Sequence, residues 1–564
     1  ERTRTDPALG AAERAVLFTR LGLWEEAEVV LADAPAGPDV DAAAAMLSFR
    51  RHRYDEAEAR VRRALEADPS HREARLMQIR LAIQAWTLDE AAALAEAMLE
   101  ERSRDEEAAL LLGRVRLLEK RYGEALEWAR RVQRWNRRNA EAHLLEADVR
   151  FWDQDPAGAE PALVRALELD PFDPDARFGY GYAIWRRVDA TQLDAMAAQW
   201  KLALEVDPLH YVTHWHWGNG HTNLTYADYA HPTDSIVRTR LARAHDRIAA
   251  NRIDEAIALT RELEREYPES VLPALTRGSA FYMAYEMDRA ARLDSAHATF
   301  AAILDRKQNY GPAHNGLAAV IKQWQLGYLA SFDSLTTAIE AVPLPDDPIF
   351  DEFFRDVAAY PGDRVRKMAR QQLGPSIAYL PLLHRLDRSY SIPPLHIDLA
   401  EAMGNPSLRT RTTFDNRQWM DIRGIGGGAA GIEYVERGSH WERNVLLHEF
   451  VHLFHSQVLT DAEVRRIREL YHAAVEADRA LDYYAANNEH EFMAQAYEAY
   501  VSPVKAHPLH HKAMNTHDDL LAKDPETYAF IDSMVVRHRA YLDGDASALA
   551  SNWAQAYVRL SQQV

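Results

Sequence analysis

The stretch His448-Glu449-Phe450-Val451-His452 has the residue types and spacing of a metal-dependent hydrolytic centre. Residues four apart lie on one face of a helix, so both imidazoles can reach a single cation. Glu449 stands one step round the helix, where its carboxylate can hold and deprotonate a metal-bound water. Two neutral imidazoles alone bind zinc poorly, so a third protein ligand is required, with one position left open to water. Five residues with three fixed positions also recur by chance in unrelated proteins, so the surrounding sequence must decide. Here it favours zinc, one ion per chain. Two histidines and a glutamate in an apolar helix would cost on the order of several kcal/mol if left unpaired, and a cation removes that cost.

Positioning these groups requires particular elements. Ser439 and Glu442 have capping-box spacing, and Trp441, Val445, Leu446, Phe450, Val451 and Phe454 supply the apolar positions of a mostly buried helix. Thr460 and Glu463 open the next helix by the same logic. The third ligand then comes from a later helix, as Glu489 or Glu491. Two residues apart, these point in nearly opposite directions, and only one can face the metal. Glu491 is preferred because Gln495, one turn on, can hydrogen-bond a ligand from outside, whereas Met493 stands at that spacing after Glu489. The alternative is that Asn488 caps this helix and Glu491 is merely its capping partner. His455, one turn beyond His452, is read as a hydrogen-bonded histidine at the helix end rather than a substrate contact.

His448-Glu449-x-x-His452, with Glu491-Phe-Met-Ala-Gln-Ala-Tyr497 on a later helix, resembles the gluzincin metallopeptidases, the thermolysin-like superfamily, and most of all its anthrax lethal factor branch. The likeness covers roughly residues 345 to 540 and is specific between about 419 and 500. It implies an α+β zincin-like domain, one zinc held by His448, His452 and Glu491, and Tyr484 as donor to the developing oxyanion, because Tyr484 precedes Glu491 by the family's seven residues. Gln495 departs from the family, which has an acidic residue there. The interval from His452 to Glu491 also exceeds that of thermolysin. A third histidine of the metzincin type would fall at Val458, so that arrangement is excluded. Upstream, the glycines of Asp421 to Gly431 run into Ile432-Glu-Tyr-Val435, read as a β-strand, which excludes a dinucleotide loop opening a helix. Such a strand suits the edge on which zincins lay extended substrates.

The N-terminal half repeats itself. Ala57, Ala91, Ala125 and Ala159 recur at intervals of 34 residues, and Pro69 and Pro171 each fall twelve residues after their alanine. Further copies end at Pro208 and Pro268, and a first begins near Leu17 around Ala27. This pattern looks like tetratricopeptide repeats, whose stacked helix pairs leave a concave groove for a peptide or partner protein. An aromatic, histidine-rich insertion interrupts the register at about 209–248, with His214, His216, His221 and His231 read as parts of an ordered loop rather than a second metal site. The resulting expectation is mainly α: a repeat solenoid over 1–342, a metallopeptidase domain over 343–540 and a docking helix over 541–564 carrying Trp553, Tyr557 and Leu560.

Composition narrows the function class. At 564 residues and 47% hydrophobic, the chain has several domains' worth of core. A net charge of −20 argues against nucleic acid, so the arginines at 130, 131, 134, 137 and 138 are read as an exposed repeat face. No apolar run reaches spanning length. Without cysteine there are no disulfides or thiolate ligands, and His507, His510, His511 and His517 are taken as surface residues. The chain opens at Glu1, read as an exported bacterial protein, periplasmic or secreted, after removal of its leader, with the cytoplasm as the alternative. The expectation is a zinc endopeptidase whose repeats recruit or restrict a peptide or protein substrate. The rivals are a catalytically inactive repeat scaffold and a zinc hydrolase of a non-peptide amide.

Overall fold

The computed structural model describes residues 9–187, 189–219, 231–411, 419, 422–508 and 513–563; His221, Asp421, His510 and His511 lie outside them. The repeat alanines explain the first half. Ala57, Ala91, Ala125 and Ala159 are wholly buried, each on the second helix of a pair, where a bare methyl lets two helices approach closely. Successive helices are Pro38–Arg50, Tyr54–Ala67, Arg72–Gln84, Leu88–Glu101, Glu106–Leu118, Tyr122–Trp135, Ala140–Trp152, Pro156–Leu169 and Pro174–Trp185. Two further series keep the same period. His71, Asp105, Asn139 and Asp173 cap the first helices through their side chains. His52, Trp86, Lys120 and Gln154 turn the chain within each pair at φ of 56°, 62°, 62° and 61°.

The chain divides into two compact units. The first is Glu1–Trp217 with Ile321–Phe332; the second is Gly218–Val320 with Asp333–Val564. The second unit therefore includes the later repeat helices Asp234–Ala249, Ile253–Glu266, Leu272–Met283 and Arg289–Arg306. Residues 343–347, where the sequence suggests a junction, are irregular and lie inside the second unit, before a helix at Pro348–Phe353.

Four expectations are corrected here. The insertion is helical where described, as Tyr211–Asn219 and Asp234–Ala249, and two of its histidines have local partners: His214 Nε2 lies 2.9 Å from Pro208 O, and His216 Nδ1 2.8 Å from Val212 O. The stretch 432–435 is not a strand but the start of a helix, Ile432–Ser439. Its buried residues Ile432, Val435, Glu436 and Ser439 follow a helical spacing, and a four-residue apolar run cannot separate the two periods. In place of an α+β domain, the described residues contain one sheet, the antiparallel pair β1 (Gly424–Ile425) and β2 (Ala429–Ala430). In the C-terminal helix Ala550–Gln563, Tyr557 is 52% exposed rather than docked; Asn552 makes the buried contact instead, donating to Val458 O at 3.2 Å and to Glu463 at 2.8 Å.

Buried polar contacts bind the second unit's repeat helices to the helix Ile432–Ser439. Tyr282 and Tyr285 both donate to Glu436. Asn315 donates to Glu433 at 3.1 Å, as Arg423 does at 2.9 Å. Carboxylates this deeply buried are tolerable only with such partners.

Candidate metal centre

The motif helix runs Val445–Gln457, and Asn444 caps it by accepting from Leu447 N. This differs from the expected start at Ser439, which ends the preceding helix. Trp441 then turns the chain at φ 64°, and Glu442 pairs with buried Arg437 instead of capping. The following helix, Asp461–Glu476, has the expected Thr460–Glu463 capping box. The ligand helix, Glu489–Tyr500, is capped by Asn488, which accepts from His490 N and Glu491 N. Asn488 is thus the cap, while the Glu491 side chain turns away towards the histidines.

His448 Nε2 lies 3.1 Å from Glu491 Oε2 and 3.3 Å from His452 Nε2, and His452 Nε2 lies 3.4 Å from the same carboxylate oxygen. Ligands about 2.1 Å from a tetrahedral zinc stand about 3.3–3.4 Å from one another, so this triangle has the edge lengths such an ion needs. The donor set, two imidazoles and a carboxylate with no thiolate, also fits zinc. Among the described residues this is the one cluster of three such groups. Glu489 is elsewhere, in an ion pair with Arg468 at 2.6 Å.

The electrostatics differ between the two histidines. Burial, helped by the Arg443 charge, pushes the His448 pKa down to about 4, so its ring is neutral at pH 7. Burial pulls His452 down as well, but Glu491 and Glu449 more than offset it and its pKa rises. Glu491 is held well below the usual carboxylate range by both histidines, against its own burial.

Glu449 is half-buried on the motif helix beside β1: a Cβ placed on Gly424 would lie 3.4 Å from its Oε1. Gly426 comes closer still, since a Cβ there would stand 3.0–3.2 Å from His452. A side chain at position 426 would crowd that ring, and Gly428 adds a φ of 111°, which favours glycine. The Tyr484 ring centroid is 6.2 Å from that of His448. Gln495 donates to Asp482 at 2.8 Å and accepts from Arg443 at 3.3 Å. Its link to His448 runs through Arg443, whose Nη2 is 3.4 Å from His448 Nδ1. His455 is not the satisfied histidine expected: its ring is buried against His490, 4.5 Å away, and neither nitrogen has a hydrogen-bond partner.

Arg443, Asp482 and Glu498 were not singled out from the sequence. Arg443 meets Gln495 52 residues on, Glu498 meets Asn444 54 residues back, and Asp482 meets Gln495 13 residues on, so no helical spacing marks them.

Comparison with known proteins addresses the repeats. Residues 42–106 and 144–192 match the family model described as tetratricopeptide repeat. The chain carries tetratricopeptide repeats. No curated protein matches it. Among solved structures it is similar to a thermophilic tetratricopeptide-repeat protein of Thermus thermophilus, at 21% identity over 31% of this chain and 95% of that one, with a TM-score of 0.28. A repeat protein from Parabacteroides merdae is 12% identical over 50% of this chain and 98% of the other, with a TM-score of 0.21. YrrB, a repeat protein with an unusual peptide-binding site, is 25% identical over 28% and 80%, also at 0.21. At these TM-scores the structural likeness carries no argument about this chain. Among the described residues, no helix is long and apolar enough to cross a membrane.

Proposed function

We propose that this tetratricopeptide-repeat protein binds protein or peptide through its repeats and cleaves it at a mononuclear zinc centre. The first half of this reading has the support of the matched repeat family; the hydrolytic half goes beyond it. What carries the hydrolytic half is the 3.1–3.4 Å triangle of His448, His452 and Glu491 with Glu449 beside it. Those three side chains would hold the ion, which when bound supplies a Lewis acid for the scissile carbonyl and acidifies water. Glu449 accepts the proton of the attacking water and returns it to the leaving amine. Tyr484 donates to the oxygen that gains charge. The glycines of β1 and the turn after it let backbone lie against the motif helix.

A second reading has its own support: the family match covers repeats only, as befits a binding scaffold whose metal centre is structural. Turnover of casein separates the two. The hydrolase reading expects cleavage that a chelator stops and added zinc restores. Binding of casein without cleavage, in zinc-loaded protein, would leave the scaffold.

A further inference from the structure

We infer that Arg443 is a positioning residue of the metal centre, holding Tyr484 and Gln495 together and placing a cation beside His448, where a zinc-bound histidine commonly faces a carboxylate. This rests on the zinc reading above. The Arg443 side chain is 13% exposed. Its Nη2 donates to Gln495 Oε1 at 3.3 Å and lies 3.4 Å from His448 Nδ1. The guanidinium carbon stands 5.7 Å from the Tyr484 ring centroid, within cation–π range.

Two acids hold this assembly. Glu498 Oε2 is 3.7 Å from Arg443 Nε, while its other oxygen accepts from Lys505 at 2.5 Å and from Asn444 N, at the head of the motif helix, at 2.8 Å. Asp482 accepts from Gln495 Nε2 and from the backbone N–H groups of Tyr484 and Ala485, each at 2.8 Å. The turn carrying Tyr484 is thereby tied, through Asp482 and Gln495, to the guanidinium beside His448.

The sign of the charge matters. When Nε2 binds a metal the proton sits on Nδ1, and a carboxylate there makes the ring a stronger donor and tightens metal binding. A guanidinium beside a neutral amide does the reverse. The site is therefore built to retain zinc less tightly and to polarise its substrate more strongly.

The test measures the zinc dissociation constant by chelator competition, together with steady-state hydrolysis of casein. Gln495→Glu should tighten zinc binding by about 10-fold or more, because a carboxylate in place of the amide neutralises the Arg443 charge beside His448. Arg443→Met should lower kcat by about 10–100-fold with KM within about 2-fold, and Arg443→Lys should recover part of the loss. A role confined to folding would give neither the tighter binding nor the split between kcat and KM. A wild-type chain that binds zinc alongside a Gln495→Glu variant of equal affinity overturns this inference alone. A wild-type chain that binds no zinc overturns the zinc reading and this inference with it. If zinc binds but casein is not cleaved, the affinity comparison decides.

Discussion

On the proposed hydrolase reading Glu449 and Tyr484 would divide the chemistry, and removing either should leave a bound metal in place. Glu449→Gln keeps shape and loses the base, so turnover should fall by about 10²–10⁴-fold. Tyr484→Phe removes one oxyanion donor and should lower kcat by about 10²–10³-fold. Zinc content measured on the same samples should stay at one ion per chain for both; full activity in Glu449→Gln would remove the base assignment. Much at this scale was legible. His448 and His452 follow from one helical spacing; side-chain direction allows only one of Glu489 and Glu491, and Gln495 one turn on favours Glu491. In the fold Glu491 lies 3.1 Å from His448, while Glu489 turns to Arg468. Arg443 was not legible, because its meaning depends on Gln495 and Glu498, brought beside it by a different helix. His455 was misjudged for a related reason: burial against His490 comes from tertiary packing, not from position on its own helix.

At the scale of elements, the repeat pairs depend on the wholly buried alanines. Ala125→Leu adds methylenes between two packed helices and should destabilise the first unit by about 1–3 kcal/mol, seen as a lower urea midpoint. An unchanged midpoint would mean the helices are not in close contact there. The alanine period was plain in the sequence because small size is a residue property. The turn series was hidden, since His52, Trp86, Lys120 and Gln154 share a backbone angle but no side-chain type. The caps were half-hidden: Asp105, Asn139 and Asp173 are ordinary capping residues, but His71 is not. The error at 432–435 has the same origin. Ile432-Glu-Tyr-Val435 is too short to show its period, and its buried acids find their partners, Tyr282, Tyr285, Asn315 and Arg423, far along the chain.

For the whole molecule, buried neutral histidines set the response to acid. Burial lowers the pKa of His245, His314 and His440 to about 4 and of His538 to about 3. Unfolded histidines take up a proton near pH 6.5, so below that value the unfolded chain binds more protons and stability falls as pH drops towards 4. His210, whose pKa is raised by Asp175 against its burial, acts in the opposite sense and is outnumbered. Melting midpoints in the presence of chelator should therefore decline steadily from pH 6.5 to 4.5, and a flat profile would contradict this. The central claim concerns one ion. Diffraction from zinc-soaked crystals, recorded on both sides of the zinc absorption edge, should show a single anomalous peak about 2.0–2.2 Å from His448 Nε2, His452 Nε2 and Glu491 Oε2. Absence of that peak, or a peak held by other side chains, would contradict the account.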